Sequence, residues 1–215
     1  MGRRALPKID PVIDYSAAFL DVKKLPASLD VDAIFGRSAP LEVEMGSGKG
    51  LFLQSAAARF PERNFLGVEL ADKYARFTAA RLTRKQLTNA RIASGDGLRL
   101  FAECLRDASV SAVHVYFPDP WWKARHRKRR VMRESFVKDI ERVLMPGGKL
   151  HFWSDVKEYF DVSVELLAAA TKLAGPFQVD ESPAEHDLDY RTHFERRMRM
   201  NNEPVYRSEY RKSAS

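Results

Sequence analysis

From residue 40 onward, short apolar runs alternate with longer segments of helical spacing, and this alternation restricts the possible folds most strongly. Each apolar run stops at a turn signal, and helical segments separate most of the runs. The runs are PLEVEM (40–45), NFLGVEL (64–70), ARIAS (90–94), SAVHVYF (111–117) and KLHFWS (149–154). Strands that alternate with helices form a parallel sheet with helices on both faces. The pattern therefore predicts an α/β domain.

The C-terminal part departs from this alternation. The runs HFERRMRM (193–200) and VYRSEYRK (205–212) flank the turn-forming NNEP. We interpret them as two strands of an antiparallel hairpin on the edge of the sheet. With the five earlier strands this predicts a mostly parallel, seven-stranded sheet. Residues 1–39 are interpreted as an N-terminal arm, and residues 40–215 as the main domain.

Charge and cysteine content restrict the function classes. The net charge of +7 favours a polyanionic partner. The single Cys104 cannot form an intramolecular disulfide, and no His or Cys cluster has zinc-ligand spacing. The N-terminus lacks the apolar core of a signal peptide, and no segment approaches the roughly 20 apolar residues of a membrane span. We therefore expect a cytoplasmic protein without metal or membrane contact, either a monomer or a homodimer.

A glycine-rich loop directly follows the first predicted strand. It has the pattern E-x-G-x-G-x-G, formed by Glu44, Gly46, Gly48 and Gly50. Glycines there let the backbone approach a ligand. A dinucleotide fingerprint would need Gly where Leu51 stands, and a P-loop would need Ser or Thr in place of Gly50. A carboxylate ahead of the glycines repels a pyrophosphate but suits the ammonium or sulfonium of S-adenosylmethionine.

Two more carboxylates follow the next strands. Glu69 ends the second strand and suits a ribose diol, because a carboxylate can accept from both hydroxyls. Asp96 follows the third strand and could accept from the amine of adenine. The alternative is that each residue only caps the next helix. Acidic residues at three successive strand ends favour a cofactor crevice.

The segment FPDPWWKARHRKRR (117–130) leaves the fourth strand, where ligands of open α/β sheets bind. Its apolar neighbours suggest that Asp119 is buried, and Pro118 and Pro120 restrict the backbone on both sides. Trp121 and Trp122 offer rings for base stacking, and the cations that follow can contact phosphates. The alternative is a solvated charge run beside two core tryptophans.

The same segment resembles the signature of the bacterial tRNA (guanine-N7)-methyltransferase family, usually F-P-D-P-W-P-K-K-R-H-x-K-R-R. LEVEMGSGKG, GVELADKY, FWSDVKEYF and THFERRMR resemble further motifs of that family, in order over roughly residues 40–212. Trp122 stands where the family usually has Pro, and Ala124 replaces a usual Lys. The resemblance implies a Rossmann-like class I methyltransferase fold, S-adenosylmethionine as cofactor, and tRNA as partner. The implied reaction is methylation of N7 of a variable-loop guanine.

The resemblance also implies roles for individual residues. Those expected to bind the cofactor are Glu44, Gly46, Gly48, Gly50, Glu69, Asp96 and Asp119. Asp119 is also the expected catalytic residue. Those expected to contact tRNA are Lys123, Arg125, Arg127, Arg129, Asp155, Thr192, His193, Phe194 and Glu195.

Three alternatives remain open from the residues alone. A methyltransferase of the same fold could act on another RNA, on DNA or on a protein, because fold does not fix function. A non-catalytic RNA-binding protein could retain the sheet without using a methyl donor. A nicotinamide oxidoreductase is a third possibility, against which Leu51 and Glu44 count.

Overall fold

The computed structural model describes residues 6–121, 124–181, 183 and 190–214. These residues form an eight-stranded sheet in the order β1-β4-β3-β2-β5-β6-β8-β7. The strands are β1 Phe19–Asp21, β2 Leu41–Met45, β3 Asn64–Glu69, β4 Ala90–Ser94, β5 Val110–Tyr116, β6 Leu144–Ser154, β7 Ala174–Gln178 and β8 Tyr206–Arg211. The first six strands pair in parallel, and β8 runs antiparallel to both of its neighbours.

A helix follows each of the strands β1 to β7 along the chain. They are α1 Val31–Phe35, α2 Leu51–Arg59, α3 Asp72–Arg84, α4 Gly97–Arg99, α5 Glu134–Val143, α6 Lys157–Ala170 and α7 His193–Met200. The mostly parallel α/β sheet with antiparallel C-terminal strands is confirmed. The predicted strand number is too low by one, because residues 19–21 form β1 and pair with β4 at the sheet edge.

The prediction that residues 193–200 form a strand is wrong. They form the helix α7, and the antiparallel partner of β8 is β7 instead. Thr192 caps the helix by accepting a hydrogen bond from the Glu195 N–H, and Phe194 and Met198 have the spacing of one helical face. The helix α6 ends at Ala170, and the Gly175-Pro176 pair lies within β7.

Apolar side chains pack on both faces of the sheet. On one face, α5 packs against the strands through Phe136 and Ile140. On the other, α2 and α3 pack through residues such as Phe52 and Ala79. A Cβ at Gly67 of β3 would lie 2.5 Å from the Leu53 side chain, so α2 lies directly on the sheet there. Among the described residues, no helix is long and apolar enough to cross a membrane.

The arrangement of strands determines where a site can form. The chain passes from β2 to β3 and β4 on one side of β2, whereas β5 and β6 lie on the other side of β2. Loops that follow β2 and β5 therefore diverge, and ligands of open α/β sheets bind in such a crevice. The glycine loop follows β2, and the segment 117–121 follows β5.

Candidate active site at the carboxyl edge of the sheet

The glycine loop folds back on the end of β3. The N–H groups of Gly46 and Ser47 both donate to the Val68 carbonyl, at 2.9 and 3.0 Å. Gly46 and Gly48 have φ of +81° and +55°, a left-handed conformation that favours glycine. A Cβ on either would meet no atom within 4 Å, so backbone conformation rather than crowding requires glycine here. The loop therefore presents open backbone to the crevice.

Glu69 holds this loop in place. Its Oε2 accepts a hydrogen bond from the Gly48 N–H, and its Oε1 accepts one from the Ala71 N–H, both at 2.8 Å. Each carboxylate oxygen can accept a second hydrogen bond. Glu69 thus combines a structural role with remaining capacity for a hydroxyl donor.

Glu44 of β2 is a buried carboxylate at this edge, with 3% exposure. Within the described parts of the chain, its Oε2 and the Ser47 Oγ have no hydrogen-bond partner. Burial raises the pKa of Glu44 to about 8; the nearby Ser47 hydroxyl opposes this rise, and the negative charge of Glu69 adds to it. A buried acceptor without a partner is costly unless a ligand donates to it. These residues fit the cationic group of S-adenosylmethionine.

Asp96 lies at the same edge but is exposed. Its Oδ1 accepts a hydrogen bond from the Leu98 N–H at 2.9 Å and caps α4. The capping alternative is therefore realised at Asp96. A Cβ at Gly97 would clash with the Met45 sulfur, so the start of α4 packs directly on the end of β2. This close packing places the Asp96 turn beside the glycine loop.

Asp119 is exposed, so the expectation that it is buried is wrong. The backbone around it is constrained, because Phe117 and Trp121 have φ of +49° and +43°. The Phe117 N–H donates to the Trp153 carbonyl at 2.9 Å, and the Arg130 Nε donates to the Pro120 carbonyl at 2.7 Å. The Asp119 carboxylate projects from a loop anchored at both ends.

Asp155 follows β6, the strand next to β5. Burial raises the pKa of Asp155, with contributions from the negative charges of Glu203 and Asp119, while Arg197 opposes the rise. Asp119 and Asp155 therefore follow adjacent strands, β5 and β6, at the same edge of the sheet. Arg197 could not be singled out from the sequence, since its position near this site depends on α7.

The basic segment forms a short 3-10 helix over Ala124–Arg129. The Arg129 guanidinium lies 5.0 Å from the centre of the Trp121 ring, and His126 contacts that ring edge-on at 5.7 Å. Arg125 is exposed. Trp122 and Lys123 lie outside the described residues, as does the side chain of Arg127. Trp121 is only partly buried, so it is not a core tryptophan.

The predicted tRNA-contacting run Thr192–Glu195 starts α7. The Thr192 Oγ1 accepts from the Glu195 N–H at 2.9 Å, and the Glu195 Oε2 accepts from the Arg191 N–H at 2.6 Å. Glu195 is 3% exposed, and its Oε1 lies 3.4 Å from Arg207 Nη2. Both polar ends of the motif are engaged within the protein.

His193 and Phe194 lie between these two ends. His193 is exposed, and the Phe194 ring packs 4.9 Å from the ring of Phe117, two residues before Asp119. The Arg197 guanidinium lies 4.3 Å from the centre of the Phe194 ring. The helix α7 is thereby attached to the loop that carries Asp119.

A buried polar chain of Glu42, His114 and Tyr116 was not predicted from the sequence. His114 Nε2 lies 2.8 Å from Glu42 Oε2, and His114 Nδ1 lies 2.8 Å from Tyr116 Oη. Burial lowers the pKa of His114. Burial alone would raise the pKa of Glu42, but hydrogen bonds to His114 and Arg63 outweigh that effect and lower it to about 2. A neutral His114 therefore donates to ionised Glu42 and accepts from the Tyr116 hydroxyl. This chain links β2 to the end of β5.

Comparisons with known proteins agree with this geometry. A family model described as "Putative methyltransferase" matches residues 38–208. A Rhodopirellula baltica protein named tRNA (guanine-N(7)-)-methyltransferase is 47% identical over 99% of this chain and 80% of its own length. A protein of the same name from Stutzerimonas stutzeri is 37% identical over 78% of this chain and 71% of its own.

Solved structures resemble the fold. The aminoglycoside resistance methyltransferase NpmB1 aligns with a TM-score of 0.57 and 15% identity, over 87% of this chain and 98% of its own. The 30S ribosomal A1408 methyltransferase from an uncultured bacterium aligns with a TM-score of 0.54 and 15% identity, over 87% of this chain and 98% of that one. At this identity the likeness concerns the fold alone.

Proposed function

The chain belongs to the tRNA (guanine-N7)-methyltransferase family, and from this premise we propose which residues perform the reaction and how. It is an enzyme that uses S-adenosylmethionine to methylate N7 of a guanine in tRNA. We propose that the target guanine lies in the variable loop. Because its substrate is tRNA, we also propose a cytoplasmic location, as a monomer or a homodimer.

The cofactor site is proposed to lie over the glycine loop. S-adenosylmethionine supplies an electrophilic methyl group on a sulfonium, and it carries an ammonium, a ribose diol and an adenine. Glu44 would face a cationic group, which is supported by its buried oxygen without a partner in the described chain. Glu69 would accept from the ribose hydroxyls with its remaining lone pairs, and Asp96 would accept from the adenine amine. The open backbone at Gly46 and Gly48 supports close approach of the ligand.

Asp119 is proposed as the catalytic residue. Guanine N7 already carries an in-plane lone pair, so no proton has to be removed before it attacks the methyl group. The ring becomes cationic as the new bond forms, and a fixed carboxylate beside it stabilises that charge. The same carboxylate could accept hydrogen bonds from N1 and N2 of guanine. The exposed carboxylate on a loop anchored through Phe117 and Pro120 supports this role.

The tRNA is proposed to lie across the basic segment and the start of α7. Exposed Arg125 and Arg129 would contact phosphates, with Lys123 and Arg127 retained as proposals from the sequence. Asp155 would face the guanine beside Asp119. His193 and Phe194 would present the start of α7 to the RNA, while Thr192 and Glu195 would keep that start in place through their hydrogen bonds.

One observation carries the site assignment. Glu44 is a buried carboxylate with an unpartnered oxygen among the described residues, at the same sheet edge from which Asp119 projects. A non-catalytic RNA-binding protein has no need of such an acceptor, and Leu51 stands where the loop of a nicotinamide enzyme would need its third glycine.

The test is methyl transfer from labelled S-adenosylmethionine to unmodified tRNA, followed by nucleoside analysis of the product. We expect labelled 7-methylguanosine, mapped by sequencing to the variable loop. Label in another nucleoside would contradict the N7 chemistry. Label in 7-methylguanosine at another position would contradict only the proposed variable-loop target.

A further inference from the structure

A cleft of about 160 Å³ lies between α3 and the N-terminal segment, apart from the site described above. Its lining combines apolar side chains with three cations. The lining residues are Pro7, Lys8, Ile9, Phe77, Ala80, Arg81 and Arg84. None of them belongs to the motifs that the family resemblance covers.

The cations of this cleft are not compensated by acids. No carboxylate of the described residues forms an ion pair with Lys8, Arg81 or Arg84. By contrast, Arg76 on the same helix pairs with Asp72 at 2.6 Å. Burial lowers the pKa of Arg81, and the nearby positive charge of Arg84 lowers it further. Like charges held this close favour the binding of an anion.

The cleft is also connected to the glycine loop. Arg81 Nη1 donates to the Lys49 carbonyl at 3.1 Å, and Thr78 Oγ1 donates to the Gly48 carbonyl at 3.3 Å. The Arg81 guanidinium lies 5.6 Å from the centre of the Phe77 ring, which helps to orient it. The cleft and the candidate cofactor site therefore share one rigid element, α3.

The position of the cleft relative to the basic 124–129 segment follows from the order of the strands in the sheet. The 124–129 segment follows β5, whereas α3 follows β3, and β2 with its glycine loop lies between these two strands. Cations thus occur on both sides of the crevice. A polyanion that crosses the crevice would be able to contact both groups.

We propose that the cleft formed by Lys8, Arg81 and Arg84 is a second phosphate-binding surface for the tRNA substrate, on the side of the glycine loop opposite the 124–129 segment. This inference rests on the methylation of tRNA stated above. The ligand is a phosphodiester stretch of the same RNA whose guanine reaches Asp119. The surface contributes affinity and orientation and takes no part in the chemistry, because phosphate contacts position a nucleic acid without reading its bases.

The test compares two variants that remove the same charge. Lys8→Gln/Arg84→Gln alters the cleft but spares Arg81, which hydrogen-bonds the glycine loop. Lys138→Gln/Lys172→Gln removes two exposed cations: Lys138 on α5, where it pairs with Glu134, and Lys172 beside that helix. The helix α5 packs on the opposite face of the sheet. The Kd for unmodified tRNA is measured against salt concentration, together with KM for tRNA, kcat, and the Kd for S-adenosylmethionine.

For the cleft variant we expect the slope of log K against log salt to decrease in magnitude by about one to two units, since each lost phosphate contact removes roughly 0.7 to 0.9. KM for tRNA should rise about tenfold, with kcat and the cofactor Kd unchanged. The control variant should retain the wild-type slope. Thermal unfolding of both variants establishes that they fold, and Lys8→Arg/Arg84→Lys should restore the slope.

Equal slopes in the cleft variant and the control would overturn the proposal. So would a loss of binding that Lys8→Arg/Arg84→Lys fails to restore, because charge would then not be its cause. Failure of the wild-type enzyme to form 7-methylguanosine is a different result, which contradicts the function. The binding slopes are measured without turnover and distinguish the two failures.

Discussion

Glu69 Oε2 accepts a hydrogen bond from the Gly48 backbone N–H at 2.8 Å, so the last residue of β3 holds the loop that follows β2. The other oxygen of the same carboxylate accepts from the Ala71 N–H, immediately before α3. A single side chain thereby sets the glycine loop and the start of the next helix relative to each other. The residue proposed to bind ribose is already oriented by the protein itself.

We expect Glu69→Gln to weaken S-adenosylmethionine binding by about tenfold, because the amide has only one acceptor oxygen and loses a charge-assisted hydrogen bond of about 1.5 kcal/mol. Isothermal titration calorimetry measures the change in Kd. Glu165→Gln is the matched control, since Glu165 is an exposed carboxylate on α6. An unchanged Kd in Glu69→Gln would show that neither the loop nor the cofactor depends on this carboxylate.

The buried Glu44 predicts that the ligand-free protein loses stability as pH rises. The folded protein keeps a proton on Glu44 up to about pH 8, whereas the unfolded chain releases it near the ordinary value of 4.5. Between these values the folded state binds more protons, so the free energy of unfolding falls with increasing pH. Compared with Glu44→Gln, the wild-type Tm should therefore decrease from about pH 5 to about pH 9. Parallel curves of Tm against pH for the wild type and Glu44→Gln would contradict the raised pKa of Glu44.

Glu44 also predicts that cofactor binding releases a proton. A cationic group placed beside Glu44 favours its ionised form, and lowers its pKa in the complex. Affinity for S-adenosylmethionine should thus increase from about pH 6 to about pH 8, and level off above the ligand-free pKa of about 8. Calorimetry in buffers of different ionisation enthalpy measures the released proton. Glu44→Gln is expected to abolish the proton release that Glu44 causes, and to bind S-adenosylmethionine more weakly at every pH.

The central strands could be predicted from the sequence because they are buried on both faces. Such strands appear as continuous apolar runs, and their carboxyl ends place Glu44, Glu69 and Asp96 at one edge whatever the details of packing. The edge strand β1 has only three residues, Phe19–Asp21, and so short a segment has no detectable period. The sequence of α7 combines alternating apolar residues with a capping box at Thr192, and the cap proved to be the better indicator.

Contacts between distant residues could not be predicted in this way. The hydrogen bond between Glu42 and His114 joins residues 72 positions apart and depends on the register of β2 against β5. The attachment of α7 to the loop of Asp119 depends likewise on Phe117 meeting Phe194 in three dimensions. A sequence without an alignment contains the residue types of these contacts but not their pairing.

The cap of α7 yields a prediction about stability. We expect Thr192→Ala to lower the free energy of unfolding by about 1 kcal/mol, the usual cost of a lost side-chain cap. Denaturant unfolding measures it. Thr88→Ala is the control, because Thr88 is exposed and caps no helix. If the two variants were equally stable, the hydrogen bond between Thr192 and Glu195 would contribute nothing to the fold.

Asp119 allows the sharpest test of the chemistry, because its side chain is exposed and has no hydrogen-bond partner among the described residues. Replacing it with Asn should change the free energy of unfolding by no more than about 0.5 kcal/mol, as is usual at surface positions. The neutral amide cannot stabilise the positive charge that develops on guanine, so the single-turnover rate of methyl transfer should fall by more than about tenfold while the cofactor Kd stays nearly unchanged.

Single-turnover methylation of unmodified tRNA measures this effect, with the cofactor Kd and Tm determined on the same preparations. Asp180→Asn is the matched control, since it removes an exposed carboxylate elsewhere on the chain. Its single-turnover rate should equal that of the wild type. Near-normal turnover in Asp119→Asn would exclude charge stabilisation by this residue. Most of the rate would then have to come from alignment of N7 with the methyl group.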